Sequence, residues 1–206
     1  MKPEFQNITT ENDPPLTGQS HIYVKEITTE KGLEEIKFLW DDLLMKSHTN
    51  VLYLTYEWLQ TWWRCFQSPS KKICVLVVYN GEELVGIAPF MEVQTRVLGF
   101  SINTIEFLSM VQFAYSPLNI SASLDIIAKK EEHQKVIKSV LEYLSEKKSC
   151  WHYIRLHPIP KKSPTLECMK NECRMIGLDY YQRHVLSNAV LSMSLLWDEY
   201  CNGRGK

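Results

Sequence analysis

The sequence predicts an α/β domain in which a mixed central sheet has helices on both faces. Its 206 residues, 45% hydrophobic and 23% charged, have the size and composition of one globular domain. Some segments have apolar residues at every second position, as strands do, and others have them three or four positions apart, as amphipathic helices do. Along the chain these segments have the predicted order β-α-α-β-β-β-α-β-α-β.

The first three elements follow a polar segment. Residues 1–20 contain Pro14 and Pro15 and almost no apolar pattern, which predicts a flexible lead-in. Residues 21–27 alternate as a strand does, and two amphipathic helices are predicted after them. The apolar stripe of the first helix is Leu33, Ile36, Leu39, Trp40, Leu43 and Leu44. The stripe of the second helix is Leu59, Trp62, Trp63 and Phe66, with Thr55 as its predicted N-cap.

A hairpin is predicted in the middle of the chain. Residues 72–79 are apolar on both faces, which indicates a central strand covered on both sides. Asn80-Gly81 predicts a type I′ turn, because both residues tolerate the positive φ that this turn requires. The strand over residues 84–93 is therefore expected to return antiparallel beside the first.

The returning strand contains a glycine and a proline. At Gly86 we expect a bulge or a close approach of another backbone, and Pro89 is expected where the ladder needs no hydrogen-bond donor. A further strand is predicted over residues 102–108.

Two helices and two strands are predicted in the rest of the chain. A long helix begins near Lys129, and residues 151–157 form the next strand. The apolar stripe of that helix is Val136, Ile137, Val140, Leu141 and Leu144. The following helix has Ser163 as N-cap, Pro164 in its first turn and Gly177 just past its end.

The predicted domain covers residues 21–193. Its last strand is expected over residues 180–193, and residues 194–206 have the pattern of the first turns of a helix.

Charge and apolar content exclude several classes of function. The formal net charge is -1, so no bulk attraction to nucleic acid or to an anionic membrane is expected. No apolar run reaches the roughly 18 residues of a membrane helix and no apolar leader is present, so we expect a cytoplasmic protein without an integral membrane segment. The 6 cysteines form no CxxC pair and lack histidines at metal-ligand spacing, which predicts buried reduced thiols and no metal site.

Two residues of the strand at 151–157 are candidates for chemistry. A period of two places Arg155 and His157 on one face of this strand. The arginine would bind an anionic group there, and the histidine would move a proton near neutral pH. The alternative, which the usual exposure of charged side chains favours, is that both lie at the solvent-facing end of the sheet.

A long loop after the strand at 102–108 holds three more candidates. Tyr115, Ser116 and Asn119 lie where open α/β sheets often place ligand contacts. Pro117 would hold its neighbours in an extended form. The alternative is that this loop is only a packed connection.

Several strings along the chain resemble a known family. In order they are FLWDDLL, LTYEWLQTWW, GEELVGIAPFMEV, YSPLNI, WHYIRLHPIPKKSP and SLLWDEY. Together with the element order, they resemble the GNAT N-acyltransferase superfamily. Within it, they are similar to the CelD-type, cellulose-biosynthesis acetyltransferase-like family, a relative of the FemAB-type aminoacyl transferases. The resemblance extends from about residue 22 to the end.

The resemblance implies an architecture of two GNAT-like halves. The chain resembles the N-terminal half only, and residues 194–206 would lead into an absent second half. A second GNAT-like half or a separate protein is therefore the expected partner. The expected co-substrate is an acyl-CoA such as acetyl-CoA, and the acceptor is a small-molecule amine that the sequence does not identify.

The glycines argue against a complete acyl-CoA site in this half. A GNAT domain holds the coenzyme A pyrophosphate on a glycine-rich turn before a helix, but no glycine lies between Gly99 and Gly177. The string RVLGFS, residues 96–101, resembles such a turn, yet it lies between two predicted strands and is expected to be a turn in the sheet. We therefore expect that this half alone does not bind the acyl-CoA.

Two functions stay open at this point. One is an N-acyltransferase family member whose N-terminal half shapes the acceptor cleft, with Tyr115 and His157 as catalytic candidates and Tyr115, Ser116, Asn119 and Arg155 as substrate-binding candidates. The other is a non-catalytic, degenerate GNAT module that supports a second acyltransferase half.

Overall fold

The computed structural model of the protein describes residues 21–110 and 121–184. Its strands are β1 (Ile22–Ile27), β2 (Lys71–Asn80), β3 (Glu83–Val97), β4 (Phe100–Phe107), β5 (Ile127–Ala128) and β6 (Tyr153–Arg155). Its helices are α1 (Glu30–Glu35), α2 (Lys37–Lys46), α3 (Tyr56–Phe66), α4 (His133–Glu146) and α5 (Pro164–Met175).

The strands form one mixed sheet. Its order is β1-β2-β3-β4-β6, and β5 pairs with β3. The pairs from β1 to β4 are antiparallel, as is the β3–β5 pair, whereas β6 runs parallel to β4. A parallel neighbour needs a crossover connection, and α4 lies in the connection between β4 and β6.

Helices cover both faces of this sheet, as predicted. Glu26 of β1 points to α4, where its carboxylate accepts a hydrogen bond from the Lys147 ammonium at 2.5 Å. Glu26 is paired with Leu76, and Lys71 lies an odd number of positions from Leu76, so Lys71 points to the opposite face. There its ammonium lies 5.1 Å from the ring centre of Trp62 in α3. The predicted α/β fold class, a mixed central sheet between helices, is confirmed.

The first predicted helix is two helices. Ile36 has φ -102° and ψ 4°, which ends α1 and changes the direction of the chain before α2. The apolar stripe therefore does not continue in register, and Leu39 is half-exposed although Trp40, Leu43 and Leu44 are buried. The second predicted helix is confirmed as α3, and its N-cap Thr55 accepts a hydrogen bond from the Trp58 N–H.

The predicted hairpin forms, but its turn is shifted by one residue. Asn80 pairs with Glu83, so the two turn residues are Gly81 and Glu82. Of these, only the glycine has a positive φ, at 63°. This turn is therefore not the type I′ turn that the Asn-Gly pair predicts, since that turn needs two positive φ angles.

β4 and β5 are two parts of one strand that a long insertion interrupts. Phe107 at the end of β4 pairs with Phe90, and Ile127 in β5 pairs with Ile87, so both run along the same edge of β3 in the same direction. Of the segment between them, residues 108–110 and 121–126 are described and lie in no strand. The predicted order lacks β5 because a strand of two residues has no visible period.

Gly86 and Pro89 mark this interruption. A Cβ on Gly86 would lie 2.3 Å from Cγ1 of Val136, so the glycine lets α4 pack directly on the sheet. The Pro89 carbonyl accepts a hydrogen bond from the Leu108 N–H at 2.7 Å, which places its missing donor on the same side, at the gap between β4 and β5. A bulge lies at Val85, next to the glycine. The bulge and the proline agree with the predictions, while the close approach is made by a side chain.

The remaining differences concern the ends of elements. β3 continues to Val97, β6 is shorter than predicted, and residues 180–184 are not in a strand. The rest of the predicted last strand and residues 194–206 lie outside the described residues. The predicted caps of α5 are confirmed, since Ser163 accepts a hydrogen bond from the Thr165 N–H and Gly177 has φ 71°.

The core lies on both sides of β2, β3 and β4. Its largest fully buried side chains include Trp40, Phe90 and Phe107. The Trp40 indole N–H donates to the Leu54 carbonyl at 2.8 Å. The prediction of buried cysteines is right for Cys74 and Cys173, and wrong for the exposed Cys65 and Cys150. Within residues 21–110 and 121–184, no helix is long and apolar enough to cross a membrane.

The Gly86–Val136 contact generates a stability prediction. We expect Gly86→Ala to lower the free energy of unfolding by about 1–3 kcal/mol, because the added methyl group forces α4 away from the sheet. The double variant Gly86→Ala/Val136→Ala removes the clash and should lose less stability than the sum of the two single changes. Urea unfolding of the four proteins measures this coupling, and strictly additive losses would contradict it.

Candidate functional site

The parallel pair β4–β6 indicates where the candidate site lies. It is the single parallel pair among the strands in the described ranges. In open α/β sheets, ligands bind beyond the carboxyl ends of strands at the place where the direction of the chain changes. Here that place lies just after Phe107 and Arg155, the last residues of β4 and β6.

A buried hydroxyl lies at the end of β4. Ser109 has no exposed surface, and its Oγ has no hydrogen-bond partner among the described residues. A buried polar group without a partner costs free energy, so such groups are rare in folded proteins. Ser109 is therefore a donor and acceptor that the described part of the chain does not use. The sequence analysis missed it, because a serine in an apolar string has no distinguishing pattern.

An ion pair links the two parallel strands. Glu106 of β4 is 3% exposed, and its carboxylate accepts a hydrogen bond from the Arg155 guanidinium of β6. The Thr104 hydroxyl donates to the same carboxylate at 3.0 Å, and the Arg155 guanidinium lies 5.9 Å from the ring centre of Tyr153. Arg155 Nε is buried and unpartnered within the described ranges. Most of the charge on Arg155 is therefore neutralised by Glu106, with one N–H unused.

His157 is the titratable group beside this pair. Its side chain is partly buried two residues after β6. Burial lowers the pKa of His157, and the positive charges of Arg155 and Arg183 lower it further. The imidazole is therefore neutral at pH 7 and can accept a proton from a nearby group.

The predicted site residues have different outcomes. Arg155 and His157 are close enough for charge interaction, as the strand period predicts. The partner of Arg155, Glu106, was missed, although a carboxylate at the buried end of a strand was the available signal. Tyr115, Ser116 and Asn119 lie outside the described residues, and their roles stay predictions.

The inserted segment returns through a buried, polar contact. The Trp58 indole N–H of α3 donates to the Ser121 hydroxyl at 3.0 Å, and Ser121 has no exposed surface. Three residues later, the Leu124 N–H donates to the Pro158 carbonyl at 2.9 Å, beside the continuation of β6. The returning end of the segment is thus anchored to α3 and to the continuation of β6.

A second polar cluster lies where the insertion meets α4 and α5. Asp125 is 1% exposed, and it accepts hydrogen bonds from the Ser163 hydroxyl at 2.5 Å and from the Ile126 N–H at 2.8 Å. Burial raises the pKa of the Asp125 carboxyl, although these hydrogen bonds oppose that effect. Ser163 also caps α5, so this carboxylate fixes the start of the helix.

The same cluster contains a buried histidine. His133 at the start of α4 contacts the Thr165 hydroxyl at 3.1 Å, and its ring centre lies 5.9 Å from that of His48. Burial lowers the pKa of His133, and the positive charge of His48 lowers it further. The Cys168 thiol lies 3.7 Å from His133 Nδ1, but burial and two neighbouring glutamates raise its pKa, so the thiol keeps its proton.

One group of side chains has the spacing of metal ligands. The ligand atoms of Glu26, Cys74 and Glu92 lie within 4.8 Å of one another on the α4 face. However, the Lys147 ammonium already binds Glu26, and burial raises the pKa of Cys74 far above its usual range. A protonated thiol is a poor metal ligand. This group is better described as an ion pair packed on a buried thiol.

The start of α4 is where a pyrophosphate turn would lie, and its residues do not fit that group. Every residue from Lys129 to the helix carries a side chain, and Glu131 and Glu132 form the turn just before it. Lys129 is bound to Glu83. A helix N-terminus binds anions through exposed N–H groups and positive potential, and two glutamates weaken that potential.

The string RVLGFS is a turn in the sheet, as predicted. Val97 pairs with Phe100, so Leu98 and Gly99 form an exposed two-residue turn between β3 and β4. No helix follows it, and the string does not form a cofactor loop.

Among known proteins, only solved structures are similar to this chain. The sequence matches no protein-family model, and no curated protein is significantly similar to it. A transcriptional regulator from Bacillus halodurans C-125 is 18% identical over 82% of this chain and 100% of its own, with a TM-score of 0.44. Aminoglycoside acetyltransferase HMB0005 from an uncultured soil metagenomic sample is 12% identical over 84% and 99%, with a TM-score of 0.47.

A plant enzyme is similar at the same level. Glucosamine-6-phosphate N-acetyltransferase from Arabidopsis thaliana is 15% identical, covers 85% of this chain and 99% of its own, and has a TM-score of 0.39. TM-scores at this level carry no inference about activity. The function of the chain is therefore argued from its own residues.

The Glu106–Arg155 pair generates a second stability prediction. We expect Arg155→Met to lower the free energy of unfolding by about 2–3 kcal/mol, because it leaves the buried carboxylate without a counter-charge. Glu106→Gln/Arg155→Met removes both charges and should be more stable than Arg155→Met alone. Urea unfolding measures both variants. If the double variant is the less stable of the two, the pair does not act as a buried ion pair.

The buried His133 generates a prediction of pH dependence. Its pKa is lowered in the folded protein, so the unfolded chain binds more protons as the pH falls below about 6.5, and stability decreases there. His133→Gln should therefore reduce the loss of unfolding free energy between pH 7 and pH 5.5. Between pH 8 and pH 7 the imidazole is neutral in both states, so that interval is the internal control. An unchanged loss in the variant would show that His133 is not responsible.

Proposed function

We propose that this chain is the acceptor-side part of a GNAT-type N-acyltransferase of the CelD-like kind, acting with an acyl-CoA donor and an amine acceptor. One observation carries the proposal: Ser109 follows β4, His157 follows β6, and the Glu106–Arg155 pair links the carboxyl ends of these two parallel strands. The family strings of the sequence support the assignment to this kind of enzyme.

The chemistry of the site fits an amine acceptor. An alkylammonium must lose a proton before its nitrogen can attack an acyl carbon, and a neutral imidazole can take that proton. The pKa of His157 is lowered, so the imidazole is in the basic form at neutral pH. Ser109 offers a hydroxyl that no described residue uses.

The insertion supplies the remaining proposed contacts. Its returning end is anchored at Ser121 by Trp58 and at Leu124 by the Pro158 carbonyl. We propose Tyr115 and His157 as proton-transfer residues, and Ser116, Asn119 and Arg155 as acceptor-binding residues.

The donor would be held mainly by a second GNAT-like half or by a separate protein. The start of α4 supports this division, because its glutamates and its lack of glycine do not fit a pyrophosphate. We therefore derive no step in which this chain handles the coenzyme.

The residues at the start of α4 also favour a second candidate function. A domain without a donor cradle, whose central insertion is anchored by buried residues, can serve as a structural support for an acyltransferase half. In that case, the ion pair and the Ser109 hydroxyl are features of folding alone. The two functions differ in whether substitutions at the site change the rate of acyl transfer.

Acyl transfer is the deciding measurement. The whole chain, alone and together with the product of an adjoining reading frame that encodes the other half, is mixed with acetyl-CoA and primary amines, and thiol release is followed. We expect His157→Gln to lower turnover by at least about tenfold, because a positioned general base typically contributes about 10²–10⁴-fold to the rate. Tyr115→Phe should lower it as well, while both variants keep the unfolding free energy of the unmodified chain.

Controls separate the two candidate functions. Glu57→Gln, in an exposed ion pair with Lys37, is the matched control and should leave turnover unchanged. Equal rates in His157→Gln, Tyr115→Phe and the control would contradict the acceptor-site proposal and support the structural one. Calorimetric titration with acetyl-CoA tests the division of labour, because micromolar binding to this chain alone would show that the donor is held here.

A further inference from the structure

The hairpin of β3 and β4 extends beyond the rest of the sheet. β2 pairs with β3 as far as Val93, and β6 pairs with β4 from Thr104 onwards. Among the described residues, residues 95–102 therefore pair only with each other and form a projecting two-stranded ribbon. With three residues in each strand before the turn, the ribbon projects by roughly 10 Å, at about 3.3 Å per residue.

The tip of this ribbon is apolar and exposed. Leu98 is 94% exposed, Phe100 is 75% exposed and Val97 is 48% exposed. Val97 and Phe100 are directly paired, so they lie on one face, with Leu98 in the turn beyond them. Arg96 and Ser101 form the next pair, on the opposite face. The outermost part of the ribbon thus combines three adjacent apolar side chains with one guanidinium just behind them.

Leu98 is an unfavourable choice for the fold itself. Leu98 has φ 50° and Gly99 has φ 86°, the two positive angles of a type I′ turn, for which asparagine and glycine are preferred. A leucine in the left-handed region is strained, and an exposed one gains no burial in return. At its other long hairpin, the same chain places Gly81 at the positive φ. Burial within the fold therefore does not account for the leucine.

Exposed basic side chains lie behind the apolar tip. They are Lys72 at the start of β2, Arg96 on the ribbon, and Lys148 in the loop after α4. That loop lies at the base of the ribbon, because the Asn103 amide donates to the Cys150 carbonyl at 3.2 Å. Lys71 is at the same level but is half-buried and bound to the Phe66 carbonyl.

Acidic groups at this end are partly neutralised. Glu26 is bound to Lys147, and Glu92 lies across the strands from Lys72 without an ion pair to it among the described contacts. Glu146 lies in the last turn of α4. The base of the ribbon therefore has an excess of basic over acidic groups, although the whole chain has a net charge of -1.

We propose that this ribbon inserts its tip into a lipid bilayer that contains anionic headgroups. Leu98, Phe100 and Val97 would enter the boundary between headgroups and acyl chains, while Arg96 and the lysines behind it meet the phosphates. Membrane-surface binding of this kind combines buried apolar area with attraction between basic side chains and anionic lipids.

Other occupants fit the ribbon less well. A nucleic acid would neutralise the basic groups but would leave Leu98 and Phe100 without an apolar partner. A second copy of the chain would need an apolar receptor for the tip. Two cavities of the described surface, of about 240 Å³ and about 80 Å³, are lined mainly by polar and charged residues and do not provide one.

Vesicle binding tests the proposal. The whole chain is sedimented at low salt with vesicles of phosphatidylcholine and phosphatidylserine, and with vesicles of phosphatidylcholine alone. We expect binding to the mixed vesicles that weakens with added salt, and weaker binding to the neutral ones. Leu98→Asn/Phe100→Ser should lower the partition coefficient by about tenfold or more, and Arg96→Gln should weaken binding and reduce its dependence on salt.

Two variants control for folding and for general stickiness. Asparagine is well suited to the positive φ at position 98, so the ribbon variant should keep the unfolding free energy of the unmodified chain. Phe38→Ser/Met45→Asn removes comparable exposed apolar groups from α2, where Phe38 is 86% exposed, and should bind vesicles like the unmodified chain.

Three results would overturn the proposal. The first is no binding of the unmodified chain to the mixed vesicles, and the second is equal binding of the ribbon variant. The third is self-association or binding of a DNA oligonucleotide that the ribbon variant abolishes, in the absence of vesicle binding. None of these results bears on acyl transfer, so failure here is distinct from failure of the proposed enzyme function.

Discussion

The packing of α4 on Gly86 is the contact on which the rest of the structure depends. Because this glycine has no side chain, Val136 lies directly on β3, at the place where the partner of β3 changes from β4 to β5. With α4 fixed there, its far end reaches Glu26 through Lys147, and the chain then enters the sheet again as β6, parallel to β4. The parallel pair, and with it the candidate site, follows from this close approach.

Charge within the candidate site is balanced locally. Glu106 and Arg155 neutralise each other, and Asp125 is held by the Ser163 hydroxyl and a backbone N–H. At the ends of β4 and β6, the buried atoms without a partner among the described residues include the Ser109 hydroxyl and one N–H of Arg155. A neutral His157 near Arg155 gives the site a proton acceptor without adding another charge. Such a site would favour a polar or cationic acceptor over a second strong anion.

Sequence reasoning captured what depends on local pattern. The N-caps Thr55 and Ser163, the two-sided burial of β2 and the missing donor of Pro89 each follow from the chemistry of one residue and its neighbours. It missed what depends on contacts distant along the chain. The two-residue strand β5 exists only because it finds the free edge of β3, and Glu106 is recognisable as an ion-pair partner only when β6 lies beside it. The break between α1 and α2 at Ile36 was also missed, because no proline or glycine lies beside it in the sequence.

The interruption between β4 and β5 separates two properties, the sequence of the intervening segment and the register of the sheet. Both ends of the insertion return to the same line along β3, so the sheet keeps its register whatever lies between them. The insertion could therefore lengthen, shorten or exchange its sequence in the course of evolution while the scaffold stayed constant. For protein engineering, it is a position at which foreign loops could be grafted, provided that the anchoring groups around Ser121 and Asp125 are kept.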